Sequence, residues 1–355
     1  VSAARADRIE AELRERGLDA LIVTHLMNVR WLTGFTGTNA VAVVTADGRR
    51  TFLTDFRYVE RAAAEVDGFD QRRGGRDLLA DAAEGLAGRV GFEDHHLAVR
   101  TWERLREAAS DAVELVAAGR LLEELRAVKD ESELAAVRAA ARLADDVLRA
   151  VVLEGGGLAG RTERAVGRAI ESELRERGAE PSFPPIVAAG AHGALPHAEP
   201  RDVEIPRDTL VVVDWGAQLD GYCSDCTRTF ATGTVDGRGE EVYELVRQAQ
   251  ADALAAVRPG AECRAVDAVA RDLIEAAGHG ERFGHGLGHG VGMEVHEDPR
   301  LTSNAEGRLV PGNVVTVEPG VYVAGELGVR IEDLVAVGDD RHEVLSGLPK
   351  DLIHV

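Results

Sequence analysis

Four acidic residues sit in or at the ends of apolar runs, where a lone carboxylate is costly unless a partner or a cation balances it. Residues 209–214 (TLVVVD) form a buried-strand pattern ending on Asp214, and 222–230 (YCSDCTRTF) form a second with Asp225 inside it. The two acids are placed to pair across an antiparallel hairpin. The pattern returns with glutamates. VVTV at 314–317 leads into Glu318-Pro319-Gly320, and 328–333 (GVRIED) carries Arg330 and Glu332 on one strand face, with Val329 and Ile331 on the other. Between these pairs, 284–297 (GHGLGHGVGMEVHE) packs His285, His289 and His296 among five glycines. Glycine at alternate positions lets another chain or a ligand approach the backbone closely. Histidine supplies a metal ligand or a proton carrier near neutral pH. A glycine-rich loop with locally bonded histidines is the bland reading, and the supply of carboxylates elsewhere weighs against it.

Four strand-borne acids and a histidine from the glycine-rich segment make a set of hard oxygen donors with one imidazole. Two divalent cations balance four carboxylates, whereas a single cation leaves the site strongly negative. Ligation rich in oxygen and poor in sulfur suits Mn2+ or Co2+, with Zn2+ or Fe2+ as further options. Cys223 and Cys226 form a C-x-x-C. Positions three apart on a strand point to opposite faces and cannot converge on one ion, so these read as small apolar fillers.

The frame for this cluster is 355 residues with 45% apolar residues, long for one core and suited to two domains. A formal charge of −21 opposes nucleic-acid binding and attachment to an anionic membrane. Lys129 and Lys350 are the only lysines. With three cysteines, no leader pattern and no bilayer-length apolar run, the chain is expected to be soluble and cytoplasmic.

Residues 1–17 read as a helix stopped by Gly17. Strands are expected at 18–24, 41–45 and 51–54, helices near 58–65, 77–87 and 102–109, and short strands at 90–92 and 113–116. This alternation predicts an α/β domain over residues 1–120. The segment 28–39 (NVRWLTGFTGTN) is richer in aromatic and polar residues than a connection needs. It either lines a site or is a loop packing Trp31 and Phe35 onto its own domain. Residues 121–153 read as a long amphipathic helical stretch, open to a break near Lys129-Asp130. The G-x-G-x-x-G at 155–160 follows a helix rather than a strand, so it is set aside as a dinucleotide motif. In 121–355 a repeat is visible: Arg164-Ala165-Val166 and Arg264-Ala265-Val266 open helices of the same apolar phase one hundred positions apart. Two similar halves predict an approximate internal two-fold, with a site between them.

These residues resemble a known family. Asp214, Asp225, His289, Glu318 and Glu332, in that order, look like the five ligands of the "pita-bread" metallopeptidases, which include aminopeptidase P, prolidase (Xaa-Pro dipeptidase) and methionine aminopeptidase. The eleven-residue spacing of the aspartates matches, as do D-x-G…G-Y-x-x-D-x-T-R-T, H-G-x-G-H-x-x-G, V-E-P-G and R-x-E-D. The first domain resembles the N-terminal domain of the aminopeptidase P, prolidase and creatinase branch, with less specific motifs. The resemblance implies an α/β (α+β) chain: a creatinase-like domain, 1–120, then a pita-bread catalytic domain, 121–355, with pseudo-two-fold symmetry. It also implies that Asp214 holds one metal, that His289 and Glu318 hold the other, and that Asp225 and Glu332 bridge them. His197 resembles the substrate-side histidine, His285 the one lining the proline-side pocket, and His296 the one near the scissile amide, supported by Arg330. Thr227 would stand behind the ligands. A homodimer is implied too, with 28–39 as a candidate to reach the neighbour's site.

The chemistry expected is hydrolysis of the Xaa-Pro bond at a peptide's N-terminus by a hydroxide shared between two cations, with Glu318 as proton shuttle. The N-terminal domain, the short interval from Glu318 to Glu332 and the segment around His197 favour this branch over methionine aminopeptidases. Creatinase lacks the full ligand set, and a non-catalytic protein-binding module of this fold would have lost ligands. Dipeptidase and aminopeptidase action are not separated by the sequence.

Overall fold

In the first unit of the chain, an amphipathic helix precedes a sheet. The computed structural model describes residues 2–355. It divides into one unit ending at Arg126 and a second, Ala127–Val355. Ile9 and Leu13, one turn apart on α1 (Ser2–Arg16), are both fully buried, and Gly17 ends the helix at φ +62°. There follow β1 (Ala20–Val23), α2 (Leu26–Thr33), β2 (Ala40–Thr45), β3 (Arg50–Thr54), α3 (Val59–Glu65) and β4 (Asp70–Arg73). The unit continues with α4 (Leu78–Ala83), β5 (Gly88–Phe92), α5 (Val99–Ala108), β6 (Val113–Ala117) and α6 (Leu121–Ala127). The six strands form one sheet in the order β4-β3-β2-β1-β5-β6. β1, β5 and β6 run parallel, and β2 lies antiparallel to both β1 and β3.

Two features bear on alternatives that the sequence left open. Most of 28–39 belongs to or follows α2, and Trp31 and Phe35 are both 1% exposed, packed inside their own unit. The long helical stretch breaks at 128–130, and α6 stays with the first unit because Arg126 Nη1 donates to Asn28 Oδ1 (2.7 Å) and Arg8 to the Leu125 carbonyl (2.9 Å).

The second unit opens with α7 (Glu131–Leu148), started by a reciprocal cap between Asp130 and Glu133 and closed by a π-helical turn, Arg149–Leu153. Its first half holds α8 (Glu163–Glu176), β7 (Glu180–Pro181), β8 (Ile186–Ala189), β9 (Leu210–Trp215), β10 (Ala217–Leu219), β11 (Tyr222–Cys223) and β12 (Cys226–Ala231). The second half holds α9 (Gly237–Ala256), α10 (Cys263–Ala276), β13 (Gly288–Gly290), β14 (Glu297–Leu301), β15 (Val314–Val317), β16 (Gly320–Val323), β17 (Leu327–Arg330), β18 (Asp333–Val337) and β19 (His342–Val344).

The repeat is visible in the packing. Val166, Ile170 and Leu174 of α8 are buried against Val187, Val211 and Val213, while Val266, Ala270 and Ile274 of α10 are buried with Val315, Val317 and Val335. Each half thus lays one amphipathic helix of the same phase over antiparallel strands: β8-β9-β12 in the first, β13-β15-β18 in the second. The chain is α/β: a unit built on one six-stranded mixed sheet is followed by a unit of two similar halves. No helix among the described residues is long and apolar enough to cross a membrane.

Arg228 joins the halves. It lies inside β12 at 1% exposure, donates to Asp333 Oδ1 at the start of β18 (2.8 Å) and also reaches the Leu348, Pro349 and Glu332 carbonyls. Asp333→Ala strands this guanidinium without its anion, and a loss of about 3–5 kcal/mol is expected in urea unfolding of the metal-free chain. Arg138→Ala, which breaks an exposed pair with Glu343, is expected to cost less than about 1 kcal/mol. Equal losses would contradict the structural weight given to the Arg228–Asp333 pair.

Candidate metal centre

Three of the four acids stand where the chain leaves one sheet for another. Asp225 occupies the break between β11 and β12, Glu318 the one between β15 and β16, and Glu332 the one between β17 and β18. Only Asp214 lies within a strand, and its register partner is Thr227 rather than Asp225. The simple hairpin pairing of the two aspartates is therefore corrected, as is the placing of Glu332 inside a strand. A residue outside the ladder is free of the alternation of faces, so its carboxylate can leave the sheet plane.

His289 comes from the middle of β13. A Cβ at Gly288 would lie 2.0 Å from the Thr316 carbonyl oxygen, and one at Gly290 would lie 2.1 Å from that of Asp298. The flanking glycines are what allow the strand to pass this close to its neighbours. His289 Nδ1 faces the Gly290 carbonyl (3.1 Å), so Nδ1–H donation leaves the Nε2 lone pair for the site. Nε2 lies 3.2 Å from Glu318 Oε1 and 3.6 Å from Asp225 Oδ2. Donor atoms of Asp225, His289 and Glu332 all fall within 4.8 Å of one another.

The surroundings hold these groups still. Thr227 Oγ–H donates to Glu332 Oε2 (2.7 Å), and Thr316 bridges the His289 amide and Glu318 Oε1. Arg330 donates to Asp214 Oδ2 (2.6 Å), Thr227 Oγ1 (3.1 Å) and the Tyr322 hydroxyl (2.9 Å), whose own partner is His285 Nε2 (2.9 Å). Arg330 is thus joined to Asp214 and, through Tyr322, to His285, whereas His296 stands edge-on to the His289 ring at 4.4 Å between centroids. His197 lies at the exposed rim of the same cavity.

Electrostatics and hydrogen bonding both ask for cations here. Burial, then the neighbouring carboxylates, pushes Asp225 well above the usual carboxylate range. Glu332 is also pushed well up, by burial and by Glu318 and Asp214, and Asp214 is raised by burial despite Arg330. Burial works against Glu318 as well, but the hydrogen bond and charge of His289 bring it down to about 2. Asp214 Oδ1 and Glu332 Oε1 are buried without a hydrogen-bond partner. Orphaned anionic oxygens of this kind are costly unless an ion satisfies them. The residues present fit a divalent-metal centre.

The centre opens into a cavity of about 480 Å³, within the range of small-ligand sites. Phe183, Pro184, Pro185 and Ile186 form one apolar wall, and His285, His296 and Arg300 also line it. Tyr322 and Thr316 escaped the sequence reading. Tyr322 alternates correctly along 320–323, but its value lies in bridging His285 and Arg330, two residues from different elements. Cys223 and Cys226 are buried thiols on either side of Asp225.

Burial and the neighbouring carboxylates favour the protonated forms of Asp225 and Glu332 in the metal-free chain, so cation uptake competes with protons there. Proton release on Mn2+ binding is expected to fall as the pH is raised over the interval in which the chain stays folded. Glu318 adds nothing to it. Calorimetry in buffers of different ionisation enthalpy measures this directly. Binding without proton release across that interval would show that the acids are not the groups displaced.

Comparison with known proteins agrees with this geometry. Residues 135–339 match the model of metallopeptidase family M24, and residues 5–128 match the creatinase/prolidase N-terminal domain. An uncharacterized peptidase of Bacillus subtilis, YqhT, is 40% identical over 342 residues, covering 95% of this chain and 96% of that protein. The structure of the Xaa-Pro dipeptidase from Bacillus anthracis superposes with a TM-score of 0.95 at 35% identity, covering all of both chains. The X-Pro aminopeptidase of Thermotoga maritima gives a TM-score of 0.88 at 30% identity, covering 96% of this chain and 98% of that one. Five acid and imidazole side chains gathered from two matching halves, in a chain matched over most of its length, belong to a member of metallopeptidase family M24.

Proposed function

We propose that this protein is an exopeptidase that hydrolyses the Xaa-Pro bond at the N-terminus of peptides, using two divalent cations, Mn2+ first among them. The observation that carries the reading is the convergence of Asp214, Asp225, His289, Glu318 and Glu332, with two buried carboxylate oxygens left unsatisfied. In this reading Asp214 and the His289–Glu318 pair hold one cation each, and Asp225 and Glu332 lie between them. Bound cations supply Lewis acidity toward an amide carbonyl and lower the pKa of water, which a base as weak as Glu318 needs.

The chain's own residues supply the rest. Glu318, anionic and steadied by Thr316, takes the proton from the attacking water and returns it to the leaving nitrogen. Arg330 stays charged and fixes Asp214 while donating to Tyr322. Tyr322 O–H then donates to His285 Nε2, and His285 Nδ1–H to the Gly286 carbonyl (2.8 Å). Burial lowers the pKa of His285, so the ring is neutral with both nitrogens engaged. It presents an apolar face, opposite in character to a charged anchor and suited to a pyrrolidine ring. His197 and His296, nearer the opening, are the donors assigned to the substrate's backbone. The relatives with solved structures include both a dipeptidase and an aminopeptidase, and a homodimer acting in the cytoplasm, where free thiols persist, completes the proposal.

Ala-Pro, Ala-Pro-Ala and Met-Ala peptides test it, with Mn2+ or Co2+ present. Release of alanine from the proline peptides is expected, and turnover of Met-Ala alone would overturn the assignment. Asp225→Asn is expected to lower kcat by more than about 100-fold, since even residues behind metal ligands cost about 10–100-fold. Its circular dichroism is expected to match the parent. An unfolded variant would instead give Asp225 a structural role.

A further inference from the structure

The segment that carries His285 is held from behind by an ion pair on α10. Residues 283–287 (FGHGL) lead into β13 with a glycine on each side of His285. Among the described residues, no backbone–backbone hydrogen bond involves 284–286. A glycine-flanked stretch outside any ladder has little stiffness of its own, so side chains have to supply it.

Asp267 and Arg271, one turn apart on α10, do so. Asp267 is fully buried; its Oδ1 accepts from the Leu287 amide (2.9 Å) and from Arg271 Nη2 (2.8 Å), and its Oδ2 from Arg271 Nε (2.8 Å). The guanidinium turns its remaining hydrogens to the chain. Nη1 donates to the Phe283 carbonyl (3.0 Å) and Nη2 to the His285 carbonyl (2.8 Å). It also lies over the Phe283 ring, 4.5 Å from the centroid, and that ring meets the His285 ring edge-on at 5.1 Å. One planar fork thus fixes two alternate carbonyls, which the single ammonium of a lysine does not reproduce. Beyond it the chain is anchored separately: the Leu287 carbonyl accepts from the Glu318 amide (2.8 Å), and β13 begins at Gly288. The arginine therefore acts on 283–286 rather than on the metal ligands.

The first half of the unit uses the same device. Glu163 of α8, also buried, pairs with Arg201 through Nε (3.0 Å) and Nη2 (2.9 Å). It accepts in addition from the amides of Ala189 and Arg201 (both 3.0 Å), which bracket the segment carrying His197. In the repeat Asp267 corresponds to Gly167, and Glu163 stands one turn before that glycine on the same helix face. Each repeated helix thus places a buried acid, paired with an arginine, behind a segment that bears a substrate-side histidine.

We infer that Asp267 and Arg271 are positioning residues that set the preference for proline through His285, an inference that rests on the Xaa-Pro activity proposed above. Neither lines the cavity. While the segment is held, His285 keeps its ring nitrogens on Tyr322 and the Gly286 carbonyl and shows the cavity an apolar face. Once it is released, the ring turns and its nitrogens become partners for a residue that bears an amide N–H. The loss falls on the discrimination between proline and other residues rather than on bond cleavage.

Steady-state kinetics on Ala-Pro and Ala-Ala with Mn2+ test this. The parent is compared with Arg271→Ala, Arg271→Lys, His285→Ala and the Arg271→Ala/His285→Ala double variant, each checked for folding by circular dichroism. Arg271→Ala is expected to lower the ratio of kcat/KM for Ala-Pro over Ala-Ala about tenfold, chiefly by raising KM for Ala-Pro, with kcat within about threefold. Arg271→Lys keeps the charge beside Asp267 but not the fork. It is expected to fold like the parent and lose the same selectivity, and it takes the place of Arg271→Ala, alone and in the double variant, should that one not fold. In the double variant the ratio is expected to be no lower than in His285→Ala alone, since both changes cut one path. Equal losses on the two dipeptides, parent-like selectivity in Arg271→Lys, or losses that multiply in the double variant overturn the inference. A parent that turns over neither dipeptide, or Ala-Ala alone, would instead refute the Xaa-Pro reading. The clamp is then read by hydrogen exchange, where faster exchange over 283–287 in Arg271→Lys is expected and unchanged exchange overturns it.

Discussion

Four carboxylates forced into one buried pocket set the terms for the rest of this molecule. At the separations seen, each anion raises the free energy of the others, and burial removes the water that would screen them. Arg330 pairs directly with only one, Asp214. The metal-free state relieves the strain by protonation, which is why Asp225 and Glu332 are displaced upward while Glu318, beside His289, is not. Such a pocket is a poor core and a good cage. Two oxygens, on Asp214 and Glu332, have no hydrogen-bond partner, so the structure is incomplete in the sense that matters for cations.

Holding repelling groups together requires support from opposite sides. Each half of the second unit contributes two acids on matching elements: Asp214 on β9 and Asp225 before β12, Glu318 after β15 and Glu332 before β18. Valine-rich strands under α8 and α10 provide the rigidity. Arg228, buried in β12 and paired with Asp333 next to Glu332, ties one half to the other immediately behind the centre. The ion pair and the acid cluster are coupled in position: β18 cannot shift without moving both.

What could be read in the sequence follows from what is local. The phase of the two repeated helices, the apolar strands and the acids that interrupt them are properties of neighbouring residues, and the structure keeps them. The sheet changes at Asp225 and Glu332 are not local: nothing in YCSDCTRTF or GVRIED marks a break, whereas Pro319-Gly320 does mark the one after Glu318. Tyr322 was illegible for a similar reason, since its two partners arrive from other elements. Segment 28–39 misled because polar residues masked a helical period whose buried side is carried by Val29, Trp31 and Leu32.

The hydrogen-bond chain from Arg330 through Tyr322 to His285 bears on specificity more than on bond cleavage. A histidine free to protonate beside four acids would gain a positive charge and draw anionic or hydrogen-bonding side chains. Here burial disfavours the charged ring, the Tyr322 hydroxyl occupies Nε2, and the Gly286 carbonyl takes Nδ1–H. Every polar atom of the ring is spent within the protein, which leaves only its apolar faces toward the cavity. Phe183, Pro184 and Pro185 offer surfaces of the same character. A residue with its own amide N–H would leave that donor facing apolar groups, at a cost of about 1–3 kcal/mol. Proline has no such donor, so under the proposed Xaa-Pro activity the pocket would favour it as much by what it lacks as by its shape.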